Sequence, residues 1–418
     1  MRKLKPISII ILVAIISFLA AYTLSAYLIS GITTRTITIT VPATAETTIE
    51  SDEYLRSAQT LLEKVISWVE SYRGLKLEEN VSLVALTKSW VVEHWGKGFL
   101  NLTEVKLEEV MLKSLLMVPE DFNLTRFKVE VSGYMIAGSA DHTIYIVKEF
   151  FDPSNEIRAG SILAHELTHI LQGEHFEIPK PKTTDEKNAL DALIEGDAGF
   201  VGSRYLLEHG GEAGQRTPEA LLKPMDALWL FPYIYGEPFV KYVYERYGWS
   251  GVNKLYQDPP TSTAQVLHPE KYLSGWRPKR VEPPPPPSGG WTLMLQDVMG
   301  EFFIRQVLRS HLSGLEANRS AEGWLGDVLQ IYERDGVYML RWKILWEDRG
   351  EAMEFLSSFK RILSVVEAEK LGEASWKAGN KEISIQLQDQ TTLITVIYKP
   401  QEISAAPRKA LAMSIQPA

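Results

Sequence analysis

The sequence predicts an α+β protein, and three observations carry that expectation. Helical periodicity runs through residues 162–172 and 188–198. Alternating, β-branched stretches at 143–147 and 336–346 have the period of strands. A polyproline run at 283–287, followed by Ser288-Gly289-Gly290, splits off a smaller α+β unit behind it.

The elements follow in order. Met1-Arg2-Lys3-Leu4-Lys5 opens the chain, and no further charge occurs until Arg35. Residues 7–29 between them are strongly apolar and long enough to span a bilayer. The basic start favours an N-terminus in the cytoplasm, with everything after residue 32 outside. A cleaved signal peptide is the rival reading. Its apolar core runs only about 7–15 residues, so an uncleaved single-pass anchor over 1–32 is expected. A Thr-rich spacer occupies 33–50.

Residues 52–72 read as a helix, because Leu55, Leu62, Val65, Ile66 and Val69 share a face. Residues 81–87 fit either a helix start or a strand. Residues 105–118 read as a helix stopped by Pro119, and 127–131 as an alternating strand. The strand at 141–147 precedes the helix over 162–172. A further helix holds 188–198, and an aromatic-rich helix over 238–247 is closed by Gly248. A loop carries Pro259, Pro260 and His268. Beyond the linker at 281–290, a unit over 291–400 holds helices near 296–312 and 352–369. Its strands lie near 328–332, 336–346, 382–388 and 393–398. Tyr338, Leu340, Trp342, Ile344 and Trp346 fall on one strand face and are expected to pack on the two helices. The tail is 401–418, and the first domain covers 51–280.

Bulk composition sets limits. With 418 residues and 45% hydrophobic residues, the chain can bury a full core. The net charge of −9 and the lack of a basic aromatic patch argue against nucleic acid. Zero Cys excludes disulfides and thiolate ligands, leaving His and carboxylate as ligand chemistry. Asn80, Asn101, Asn123 and Asn318 each begin an N-x-Ser/Thr triplet, in keeping with an external domain.

The chemistry concentrates at His165-Glu166-Leu167-Thr168-His169. Residues four apart on a helix share a face, so His165 and His169 can offer two imidazoles to one zinc ion. Glu166 lies beside that face, placed to serve as general base. A catalytic zinc takes three protein ligands and leaves a position for water. Two residues compete to be the third. Glu195 lies 26 residues after His169 on the 188–198 helix, and His175 lies six residues after it. His268, Tyr256 and Tyr272 are candidate donors to a developing oxyanion, with His268 the first choice. His94, His142, His209 and His311 have no ligand spacing and read as structural or surface residues.

The pentad followed by Glu195-Gly-Asp-Ala198 resembles the gluzincin branch of the zincin metallopeptidases. Leu163 to Gln172, Asp191 to Ala198 and Pro259 to Tyr272 are similar to uncharacterised prokaryotic secreted or membrane-anchored peptidases. The likeness spans roughly residues 140 to 280. It implies a zincin-like catalytic domain with Zn2+ on His165, His169 and Glu195, and Glu166 as base. It also implies a peptide or protein substrate, held along an edge strand; the 143–147 strand is expected in that role. His175 has the spacing of a metzincin ligand. The metzincin helix-breaking glycine position, however, is Gln172 here, and Gly173 falls one place late. Thermolysin-type enzymes carry an Asp four residues after the ligand Glu. That position here is Gly199, so support for a ligand His is expected from Asp191, Asp197 or another carboxylate. Two other classes stay open: a catalytically silent zincin-fold binding protein, and a zinc hydrolase of a non-peptide amide.

Overall fold

The computed structural model describes residues 49–400, apart from 97, 99 and 213–217. The expected anchor over 1–32, nearly all of the Thr-rich spacer and the 401–418 tail lie outside the described residues. Among the described residues, no helix is long and apolar enough to cross a membrane.

The fold is α+β, and the first half builds one small sheet under long helices. Helix α1 (Ile49–Arg73) buries Leu61, Leu62, Val65 and Val69. The ambiguous stretch after it forms strand β1 (Ser82–Leu86). Helix α2 (Leu102–Ser114) is capped by Asn101, whose side chain accepts from Thr103 N and Glu104 N.

The expected strand over 127–131 is instead helix α3 (Leu124–Ser132). Its alternation is real, but the termini decide. Asn123 caps the helix through Arg126 N, and Glu109 accepts from Leu124 N at 2.7 Å. Leu124, Lys128 and Ser132 are then buried four residues apart, which is helical spacing.

Strands β2 (Ala137–Ala140) and β3 (Thr143–Val147) complete the sheet in the order β1-β3-β2. β3 runs parallel to β1 and antiparallel to β2. The 143–147 strand is therefore central, with both backbone edges used. It cannot take the edge role expected of it. β2 is the edge strand on the side of the metal helix.

Helix α4 (Glu156–His175) carries the pentad and packs on this sheet and α1. Helix α5 (Thr184–Glu208) crosses it and packs in turn on helix α6 (Pro224–Gln257). Two glycines allow the second crossing. A Cβ on Gly196 would lie 2.3 Å from the Gly236 carbonyl carbon, and one on Gly236 would lie 2.2 Å from Ala192 O. Gly248 breaks α6 with a φ of 60°, as expected of a residue closing the aromatic-rich helix. The expected loop around His268 is two short helices, α7 (Thr263–Leu267) and α8 (Pro269–Leu273), with His268 between them.

The C-terminal part contains β4 (Thr292–Asp297), α9 (Gly300–Arg309), α10 (Gly314–Glu322), β5 (Trp324–Arg334) and β6 (Val337–Trp346). Helix α11 (Arg349–Val365) follows, then β7 (Glu369–Gly372), β8 (Ser375–Ala378), β9 (Lys381–Gln388) and β10 (Thr391–Tyr398). All strands are antiparallel, in the order β4-β5-β6-β10-β9-β8-β7. The five aromatic and aliphatic residues of β6, Tyr338 to Trp346, are buried on one face.

Two features tie this unit to the rest. Its core is continuous with Val105, Val110, Leu112 and Leu115 of the front half. The polyproline run does not hang free: Arg341 donates to Pro285 O, Lys343 to Glu282 O at 3.0 Å and Arg334 to Gly289 O at 2.8 Å. The run lies along the outer face of β6.

Candidate metal centre

One turn of α4 sets the two imidazoles edge to face, with ring centroids 4.7 Å apart. Their Nε2 atoms stand 3.0 Å from each other. α5 delivers Glu195 from the opposite side, with Oε2 at 3.3 Å from His165 Nε2 and 3.5 Å from His169 Nε2. His165, His169 and Glu195 thus form a group that could hold a metal ion, with ligand atoms within 4.8 Å of one another.

The spacing fits zinc. Bonds of about 2.0–2.2 Å in a tetrahedron separate ligand atoms by roughly 3.3–3.6 Å, close to the three distances observed. The polar atoms fit as well. Neither Glu195 oxygen takes a hydrogen bond of good geometry, although both are buried. A buried carboxylate in that state needs a cation close by. Without one, the side chains supply the charge themselves. Burial alone would push the Glu195 carboxyl up, but His169 and His165 bring it down to about 2. Burial disfavours the His169 cation, yet Glu195 and Glu166 raise its pKa to about 9.

Glu166 is 1% exposed, and its Oε1 has no hydrogen-bond partner. Burial pushes its carboxyl up, the two histidines pull it back in part, and Glu195 raises it further. The net effect is upward, which suits a group that must take and return a proton. Ser139, on the edge strand β2, lies near it and lowers its pKa by a smaller amount.

The structure brings together His165, Glu166, His169 and Glu195 and leads the other candidates elsewhere. His175 Nε2 bonds Lys76 O at 2.6 Å, away from the group. The Gln172-Gly173 stretch stays helical to His175, so the swing of the chain that a metzincin ligand needs does not occur. His268 Nε2 pairs with the buried Glu301 at 2.9 Å. Tyr256 donates to Asp197 at 2.8 Å and Tyr272 to Asp258 O at 2.6 Å. His94, His209 and His311 bond to the backbone carbonyls of Trp90, Tyr205 and Leu116.

Support for a ligand histidine comes from an amide rather than from the expected carboxylates. His169 Nδ1 meets Gln172 Oε1 at 2.9 Å. Asp191 pairs with Lys187, and Asp197 with Arg73. Gln172 sits three residues past His169, so helical spacing alone signals the contact. Tyr233 has no such local signal. It reads as one aromatic among many, yet the close α5–α6 crossing buries its hydroxyl near Glu195. Burial and then the Glu195 charge hold that hydroxyl well above the ordinary tyrosine range.

Comparison with known proteins adds little to this centre. Residues 292–406 match a family described as a domain of unknown function, DUF8575. That match lies wholly beyond the metal residues. A crystal structure described as "a putative hydrolase with a novel fold" from Chloroflexus aurantiacus is similar at 16% identity and a TM-score of 0.36. The similarity covers 62% of this chain and 96% of that one. No curated protein matches the sequence.

Proposed function

We propose that the protein is a zinc-dependent metallopeptidase of the gluzincin type, held to a membrane by residues 7–29 with its catalytic domain outside the cytoplasm. The observation that carries this reading is the convergence of His165, His169 and Glu195 on one point, with the buried Glu166 beside them. Zinc held there would polarise a water and bring its pKa to about 7. Glu166, beside the three ligands, would accept a proton from that water and return it to the leaving nitrogen of an amide. Tyr233, buried near Glu195, would donate its hydroxyl to the developing oxyanion. A peptide would lie along β2, whose Ser139 lies near Glu166.

A second reading, hydrolysis of a non-peptide amide, draws on the same strand. β2 has only four residues, and Ala137 and Gly138 are buried. That leaves a short edge for an extended chain.

Cleavage of casein and a peptide library by the purified protein, beside Glu166→Gln, tests the proposal. Cleavage that needs zinc and is lost in the variant is expected. Equal cleavage by the variant would contradict it.

A further inference from the structure

Gln172 is 2% exposed and has a fixed orientation. Its Nε2 donates to Ile194 O at 2.9 Å, and a carbonyl oxygen can only accept. A flipped amide would set two oxygens against each other there. Oε1 therefore faces His169 Nδ1, 2.9 Å away. That oxygen can only accept as well, so the His169 proton must sit on Nδ1. Once a metal displaces the Nε2 proton, the Nε2 lone pair points at His165 and Glu195.

The same amide spans both metal-bearing helices. Ile194 is the residue before Glu195, so one side chain bonds a ligand on α4 and the backbone beside a ligand on α5. Tyr256 lies beside Gln172, and its hydroxyl donates to Asp197, which holds Arg73. A buried ionic network thus lies behind the amide.

We infer that Gln172 is the positioning residue of the metal centre, fixing the tautomer of His169 and the distance between His169 and Glu195. The inference rests on zinc being the group held at this site. An amide oxygen is a weaker acceptor than a carboxylate, so it orients the imidazole while adding less to its basicity.

Zinc affinity, measured by competition with a chromogenic chelator, tests this without reference to turnover. Gln172→Leu should weaken zinc binding by about 10–100-fold. Gln172→Glu keeps the acceptor for His169 but sets a carboxylate oxygen against Ile194 O, so it should bind zinc more tightly than Gln172→Leu and less tightly than wild type. Wild-type affinity in Gln172→Leu would overturn the inference, as would Gln172→Glu binding as weakly as Gln172→Leu. Should Gln172→Leu fail to fold, the Gln172→Glu comparison and the hydrogen-bonded Nδ1 proton of His169, read by NMR on the zinc-loaded wild type, carry the test. Absence of that proton would overturn the inference. Failure of the wild type to bind zinc would instead remove the proposed function.

Discussion

Arg73 and Asp197 meet with Nη2 and Oδ2 3.0 Å apart, and their side chains are 1% and 0% exposed. The pair joins the C-terminus of α1 to α5 two residues past Glu195. Tyr256 donates to Asp197, Asn253 accepts from Arg73, and the guanidinium lies over the Trp249 ring at 4.3 Å. A buried pair so satisfied is costly to break from one side.

Arg73→Ala or Asp197→Ala should therefore lose about 3–5 kcal/mol, because each leaves one charge buried alone. Replacing both with apolar residues of similar volume should cost much less. Urea midpoints with an unchanged slope report the difference. Equal losses in the single and double variants would remove this account of the pair.

Stability without metal should depend on pH in a defined direction. The His169 pKa is raised to about 9, so its contribution is whole below the ordinary value near 6.5 and is lost as pH rises through 9. The Glu195 pKa is lowered to about 2, so its contribution is whole above the ordinary 4.5 and is lost as pH falls through 2. Chelator-stripped protein should melt at falling temperatures as pH goes from about 7 to 9. Zinc affinity should move the other way, because deprotonating the ligands favours the metal. A flat melting profile over this interval would count against the pairing.

Tyr233→Phe removes one hydroxyl and little volume. It should keep zinc and lose about 10²-fold or more in kcat, the scale of an oxyanion donor. A rise in KM with kcat intact would assign Tyr233 to substrate binding instead.

The C-terminal unit should not be dispensable. Val105, Val110 and Leu115 share a core with Trp324, Trp342 and Trp346. Asp327 accepts from Met299 N, Gly300 N and the indole nitrogens of Trp324 and Trp342. It thereby fixes the start of α9 to the sheet. Asp185, at the start of the helix that bears Glu195, donates its backbone N–H to Val298 O at 3.0 Å. A chain ending at Arg280 should show no cooperative thermal transition by circular dichroism. A sharp transition near that of the full protein would mean the front half folds alone.

Much of this was legible in the residues. The HELTH pentad announces itself because two histidines four apart on a helix have one geometric meaning. Glu195 followed from a second helix at a workable distance, and the β6 face from strict alternation of Tyr338, Leu340, Trp342, Ile344 and Trp346. The misses share a cause, in that tertiary partners outvoted local pattern. Residues 127–131 alternate like a strand, but Asn123 and Glu109 impose a helix. Asp141 to Val147 has the composition of any strand, and only pairing with both Ser82–Leu86 and Ala137–Ala140 makes it central. Tyr233 resembled core packing because nothing local marks the Gly196–Gly236 contact that brings it to Glu195. His268 stood out between Leu267 and Pro269, but its partner Glu301 lies 33 residues away.

The central claim is that His165, His169 and Glu195 hold one zinc. Zinc content of the purified protein by elemental mass spectrometry, on the wild type beside Glu195→Ala and His175→Ala, tests it most directly. The account predicts one zinc per chain in the wild type and in His175→Ala, with most of it lost in Glu195→Ala. Zinc retained in Glu195→Ala but lost in His175→Ala would contradict it.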